Sequence, residues 1–189
     1  MTGKEPNCRD RSDEKGCKLI TLKDEEGYNK NIPPIESGPD GSVIPVDVKI
    51  SIALMKVVEI EETDHSIHLQ FQISLSWREN RVKYQNLKKE VSLNSLSEED
   101  IKIIWLPLIF YDNTDQKAST RLGEYGNGEW MTRVSVTREG NFNRSGIEEV
   151  DEAEIFEGDE NSLTMNQTYT LEFQCKYMLQ RYPFDTQVQ

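Results

Sequence analysis

Ile67-His-Leu69-Gln-Phe71-Gln-Ile73-Ser-Leu75-Ser-Trp77 alternates apolar with polar or small residues for eleven positions without interruption. In an extended chain, successive side chains point to opposite faces, so Ile67, Leu69, Phe71, Ile73, Leu75 and Trp77 share one face of a strand. A second alternation precedes it, with Val46, Val48, Ile50, Ile52 and Leu54 on one side and Asp47, Lys49 and Ser51 on the other. Between the two runs lies the polar stretch Glu61-Glu62-Thr63-Asp64-His65. Two long period-two runs joined by a short polar turn predict an antiparallel hairpin with one face wet and one buried.

Working outward, short strands are expected around Ile103 to Phe110, Met131 to Arg138 and Thr168 to Tyr177, the last placing Tyr169, Leu171, Phe173, Cys175 and Tyr177 on one face. Leu96-Ser-Glu-Glu-Asp100 predicts a short helical turn, with Ser97 as its cap and acids in the first turn. Gly123, Gly126, Asn127 and Gly128 mark a loop. Many short strands with almost no helical periodicity predict an all-β chain, an immunoglobulin-like β-sandwich. Residues 1–43 carry Pro33-Pro34, Gly38-Pro39 and Asp40-Gly41 and read as an irregular charged leader, with residues 44–189 forming the domain. From Glu148 to Glu160 there are eight acids and no base, the pattern of a solvated, self-repelling loop.

The 189 residues include 22 basic and 34 acidic side chains, a formal net charge of −12. That balance argues against nucleic acid, whose phosphates need clustered Lys and Arg, and is compatible with cationic ligands. The longest strongly apolar run, Ile103 to Phe110, is broken by Pro107 and far too short for a membrane helix. Met1-Thr-Gly-Lys-Glu-Pro-Asn has no apolar core of a secretory signal. Cys8 and Cys17 enclose eight residues and can close a small disulfide loop in an oxidising compartment, which leaves Cys175 odd. The sequons at Asn143 and Asn166 agree with an extracellular address. His65 and His68 flank the start of a strand and face opposite ways, so they do not chelate one metal. No Ser-His-Asp, Cys-His or metal-ligand spacing is present, so neither a cofactor nor an enzymatic activity is expected.

The chain closes on Cys175-Lys-Tyr-Met-Leu-Gln-Arg-Tyr182-Pro183-Phe184-Asp185-Thr-Gln187-Val-Gln189. The tertiary amide before Pro183 favours a sharp turn, which presents apolar Phe184 beside charged Asp185. Cysteine, six residues, then aromatic-Pro-Phe-Asp-x-Gln resembles the signature loop of the Cys-loop, or pentameric, ligand-gated ion channels. In that family a second cysteine follows the Gln by two positions and seals the loop. Gln189 stands there, so the resemblance implies a receptor ligand-binding domain cut at its signature loop and incomplete at the C-terminus. It also implies that Cys175, Tyr182, Pro183, Phe184, Asp185 and Gln187 belong to the loop that passes the binding signal to the pore.

Further landmarks appear in the family's order. Val48-Lys-Ile-Ser-Ile52 resembles its first strand. Trp77-Arg-Glu79-Asn-Arg81-Val-Lys-Tyr84 resembles its Trp-x-Asp-x-Arg pattern, and Trp105-Leu-Pro107 followed by Asn113 resembles its Trp-x-Pro-Asp-x-x-x-x-Asn. Two departures stand out, Leu108 in place of the Asp and Asp112 where an aromatic often lines the transmitter pocket. A carboxylate there removes a cation–π wall while leaving a Coulombic one. By resemblance, Trp77, Asp112 and Arg133 are candidate ligand contacts, and Arg81, Trp105, Pro107 and Asn113 are structural, while a Trp in an alternating strand, as at Trp77 and Trp105, is more often a core or interface aromatic than a ligand contact. The carboxylate partner of Arg81 is open between Glu79 and Glu90. The implied protein is the extracellular ligand-binding domain of a channel subunit. Its partners would be a small transmitter-like molecule, further subunits in a pentamer, and the plasma membrane through segments not in this chain. A soluble secreted binding protein of the same fold is the alternative.

Overall fold

The computed structural model describes residues 19–114, 118–119, 133–141, 143–144 and 154–175. In chain order the elements are β1 (Ile20–Leu22), β2 (Ile35–Ser37), β3 (Val43–Pro45), β4 (Lys49–Glu61), β5 (Ser66–Arg78), β6 (Val82–Gln85), a 3-10 turn (Val91–Asn94) and α1 (Glu98–Ile103). They continue with β7 (Phe110–Tyr111), β8 (Ala118–Ser119), β9 (Arg133–Thr137), β10 (Asn143–Arg144), β11 (Glu154–Glu157) and β12 (Ser162–Gln174). The all-β sandwich expected from the alternations is what the chain adopts. One four-stranded sheet has the order β1-β6-β11-β10 and another β4-β5-β12-β9, with two small ribbons, β2-β3 and β7-β8. The chain divides into two compact units, the first comprising Met1–Lys49, Leu75–Leu106 and Arg133–Met165, the second Ile50–Ser74, Pro107–Thr132 and Asn166–Gln189.

In the first unit the core is centred on β6. Ile20 and Phe156 lie opposite Tyr84 from either side, and all three side chains are fully buried. Leu75, Trp77, Val82 and Leu163 join them from alternate positions of their strands. Two buried asparagines satisfy backbone groups that the ladders leave over. Asn94 accepts from Lys88 N–H at 2.8 Å and donates to the carbonyls of Lys88 and Val136. Asn161 accepts from the N–H groups of Glu139 and Gly140 and donates to Glu157 O at 2.7 Å.

In the second unit the core is aromatic. Phe71 stacks on Tyr169 with ring centroids 5.6 Å apart, and Tyr111 meets both rings edge-on at 5.7 and 5.4 Å. Burial pushes the Tyr111 phenol up to about 12. The Tyr169 hydroxyl donates to buried Gln167 at 2.7 Å, which accounts for a polar side chain on the buried face of β12. An isolated bridge between Thr114 and Phe173 and a bond from Gln174 N to Asn113 O at 2.8 Å fasten the chain after β7 to β12.

Four expectations are corrected. The segment from Ile103 to Phe110 is not a strand: Ser97 caps α1 by accepting from Asp100 N–H at 3.1 Å, and the acids of the first turn carry the helix through Ile103. Within it only Phe110 lies in a strand, Phe110–Tyr111. The acidic run is not wholly loop, because Glu154–Glu157 pairs with β6 and buries Phe156. Glu157 is neutralised there by Lys23 at 2.6 Å and Lys83 at 3.7 Å. Within residues 1–43, Leu19 and Ile20 are buried and Ile20–Leu22 pairs with β6, so that part is not irregular leader. Finally, β4 is exposed along all thirteen residues, although one face was expected to be covered. Alternation decides which side chains share a face, whereas covering that face needs a second layer packed against it.

Candidate functional site

The best-built polar cluster of the first unit surrounds the loop from Trp77 to Arg81. β5 ends at Arg78 and β6 begins at Val82, so Glu79, Asn80 and Arg81 form the turn between them. Glu79 is fully buried. Arg81 meets it with a two-pronged guanidinium, Nε to Oε1 and Nη2 to Oε2, both 2.7 Å. This fork geometry is the strongest carboxylate pairing available to a side chain, and it identifies Glu79 as the partner. The third prong of Arg81 donates to the carbonyl of Ile32 at 2.9 Å. Its guanidinium also lies 4.5 Å above the centre of the Tyr28 ring.

Tyr28 closes the cluster. Its hydroxyl donates to Glu79 Oε2 at 3.3 Å and accepts from the backbone N–H of Trp105 at 2.9 Å. Burial, helped by the negative charge of Glu79, pushes the phenol up to about 12, so it keeps its proton and can fill both roles. The hydrogen bond from Arg81 to Glu79 raises the Arg81 guanidinium above its ordinary value. Burial likewise drives the Tyr84 hydroxyl well above the usual phenol range. Trp77 and Trp105 pack edge to face with centroids 6.0 Å apart. Tyr28 thus joins the loop from Asn29 to Ile32, the motif and the segment after α1 in one hydrogen-bonded unit. Sequence reasoning missed it, since Tyr28 sits among turn signals in a segment without periodicity.

Beside this cluster an open cavity of about 370 Å³ is lined by Glu36, Asp47, Lys49, Arg78, Glu139 and Ser162, with Trp77 in its wall. Two of its charges are paired with each other. Arg78 meets Glu139 at 3.2 Å, and Ser162 donates to Glu139 at 2.6 Å. The Ser162 bond holds the Glu139 carboxyl below its ordinary range, with Arg78 adding to it.

The expected site residues divide between the two units. Trp77, expected to face a ligand, is 1% exposed and belongs to the core. The cause is the register of β5, which sends position 77 to the same side as buried Ile73 and Leu75. Arg133 is the exposed first residue of β9 in the first unit, and Asp112 lies exposed in the turn after β7 in the second. Of the structural candidates, Arg81 and Trp105 sit in the cluster above. Pro107 is buried, and Asn113 holds β12 through its backbone carbonyl. Cys175 is half-buried, with its N–H donating to His65 O at 2.6 Å. Asn166 is half-buried in the middle of β12, where its side-chain oxygen accepts from the Ser74 hydroxyl. Cys8, Cys17, Tyr182, Pro183, Phe184, Asp185 and Gln187 lie outside the described residues, as does the side chain of Asn143. Among the described residues, no group of three or more His, Cys, Asp or Glu is placed to hold a metal ion.

The family model of the neurotransmitter-gated ion-channel ligand-binding domain matches residues 18–188. The chain belongs to this family. The ligand-binding-domain match includes buried Leu19 and Ile20 near its start. Similar relatives include pH-sensitive chloride channel 2 of Drosophila melanogaster, 24% identical over 97 residues, which are 51% of this chain and 18% of that protein. Another is the acetylcholine receptor subunit beta-type unc-29 of Caenorhabditis elegans, 25% identical over 91 residues, 47% of this chain and 17% of the relative. The aligned ligand-binding-domain segment therefore spans less than a fifth of either relative.

Proposed function

We propose that this ligand-binding domain stands on the extracellular face of a plasma-membrane channel subunit and couples ligand capture between subunits to pore opening. The observation that carries the reading is the family match over residues 18–188, whose Trp-x-Glu-x-Arg segment is used as a folding staple by the Glu79–Arg81 pair. A small transmitter-like molecule would be bound between this subunit and its neighbours in a pentamer. Exposed Asp112 and Arg133 are the candidate residues left free to meet it. A ligand opens the pore only to the extent that it binds the open arrangement more tightly than the closed one. The segment from Cys175 to Gln187, with Phe184 following Pro183 in sequence, would carry that difference towards the membrane. Cys8 with Cys17 as a disulfide, and glycans at Asn143 and Asn166, complete the extracellular reading.

The test is a chimera in which residues 18–188 replace the matching segment of a relative's channel subunit. Transmitter-evoked current is expected, and Phe184→Ala should lower its maximum without lowering surface expression. Chimeras that reach the surface as pentamers, yet pass no current with any transmitter class, would contradict the coupling role and favour a binding protein without a channel.

A further inference from the structure

We propose that the start of β5 is clipped to the end of β12 by a proton-dependent contact between His68 and Glu172 that is tightest at mildly acidic pH. The geometry is local to the second unit. His68 Nε2 lies 2.9 Å from Glu172 Oε2, each side chain about a third exposed at 36% and 34%. Three residues further on, just past the end of β12, Cys175 N–H donates to His65 O at 2.6 Å, so a backbone bond and a side-chain pair fasten the same two chain ends. His65 itself turns the chain with φ 54°, a conformation few side chains adopt, which places its carbonyl at the end of the β4–β5 turn.

The charges around the clip are one-sided. Glu59 and Glu61 approach from β4, Asp64 from the turn and Glu172 from β12. The hydrogen bond to Glu172 raises the His68 imidazole above 6.5; burial opposes it, and the charges of Glu172, Glu59 and Glu61 add to the rise. Hydrogen bonds from His68 and then Ser66 lower the Glu172 carboxyl. The charge of Glu59, followed by the hydrogen bond with Asp64, raises Glu61 above 4.5.

The signs bound a window from both sides. A raised imidazole stabilises the clip fully below 6.5 and ceases to do so as pH rises through its folded value. A lowered Glu172 contributes above 4.5 and is lost as pH falls through its depressed value. A raised Glu61 takes up its proton more readily in the folded chain, so its repulsion from Glu59 and Asp64 is relieved as pH falls towards 4.5. Between 4.5 and 6.5 the pair is fully formed, and above that window the clip loosens. Solvent screening keeps such a pair modest in energy, so it acts on the local fastening rather than on global stability. The clip stands directly before the segment from Cys175 onward. Protonation thereby sets how firmly the root of that segment is held, a consequence that rests on the coupling role proposed above.

The experiment is NMR on the 189-residue chain, following the His68 imidazole through a pH titration and the exchange protection of the Cys175 amide at about pH 5.5 and about pH 8. His68 is expected to titrate above 6.5 in the wild type and to move down towards it in Glu172→Gln. Cys175 protection should fall from acid to alkaline pH in the wild type and become independent of pH in Glu172→Gln and in His68→Gln. A His68 titration unchanged by Glu172→Gln, or Cys175 protection in the wild type indifferent to pH, would overturn the proposal. Neither readout involves a ligand or a pore, so its failure is distinguishable from failure of the channel reading.

Discussion

Replacing Arg81 by alanine is expected to lower folding stability by about 3–5 kcal/mol, read as a lower urea midpoint at unchanged slope. The size follows from what stays behind. Glu79 is fully buried, and without the guanidinium its carboxylate keeps the 3.3 Å bonds from the Tyr28 hydroxyl and from the backbone N–H of residue 81, neither of them charged. The same substitution frees the carbonyl of Ile32 and removes the cation from the face of Tyr28. Lysine at position 81 keeps the charge but not the fork, so Arg81→Lys should fall between the wild type and alanine. A loss under about 1 kcal/mol for Arg81→Ala would mean that the pair is solvated like an ordinary surface bridge.

Gly158→Ala is expected to cost about 1–3 kcal/mol although it adds a single methyl group. A Cβ at this position would stand 2.0 Å from Glu79 O and 2.7 Å from Val82 O. Both are backbone atoms, which cannot rotate away, and Gly158 N–H donates to Val82 O at 3.1 Å. The φ of Gly158 lies outside the left-handed region, so the expected cost comes from space alone. The substitution wedges the turn after β11 away from the Glu79 turn, so it should broaden the resonances of both turns as well as lower the thermal midpoint. Thermal scans of the variant beside Gly41→Ala provide the control. Gly41 has φ +79° with open space around it and should suffer backbone strain without a clash.

Much of this architecture is written in the alternation. Phe71, Ile73, Leu75 and Trp77 are buried as their spacing demands, and Ser97 caps its helix as its position before three acids suggests. What the pattern could not convey was coverage. Ile50, Ile52 and Leu54 share the face expected of them, yet they are 57%, 64% and 60% exposed, because periodicity is a property of one strand and burial needs a second layer. Short strands were also hidden. Ile155 and Phe156 stand among acids whose repulsion suggests a loop, and Lys23 and Lys83, distant in sequence, neutralise Glu157 in the strand. The Trp-x-Glu-x-Arg motif was visible, but its use was not. Choosing Glu79 over Glu90 required the tight turn between β5 and β6, and the contribution of Tyr28 required a contact fifty-one residues away in sequence.

The central claim is that this receptor-domain chain uses Trp77 and its motif to hold the fold rather than to line a ligand surface. Hydrogen exchange of the Trp77 indole Nε1–H tests it most directly. At 1% exposure that proton should persist in heavy water until the first unit unfolds, and it should ignore added transmitter. Exchange at the rate of a free indole, or a shift of its resonance on ligand addition, would contradict the account.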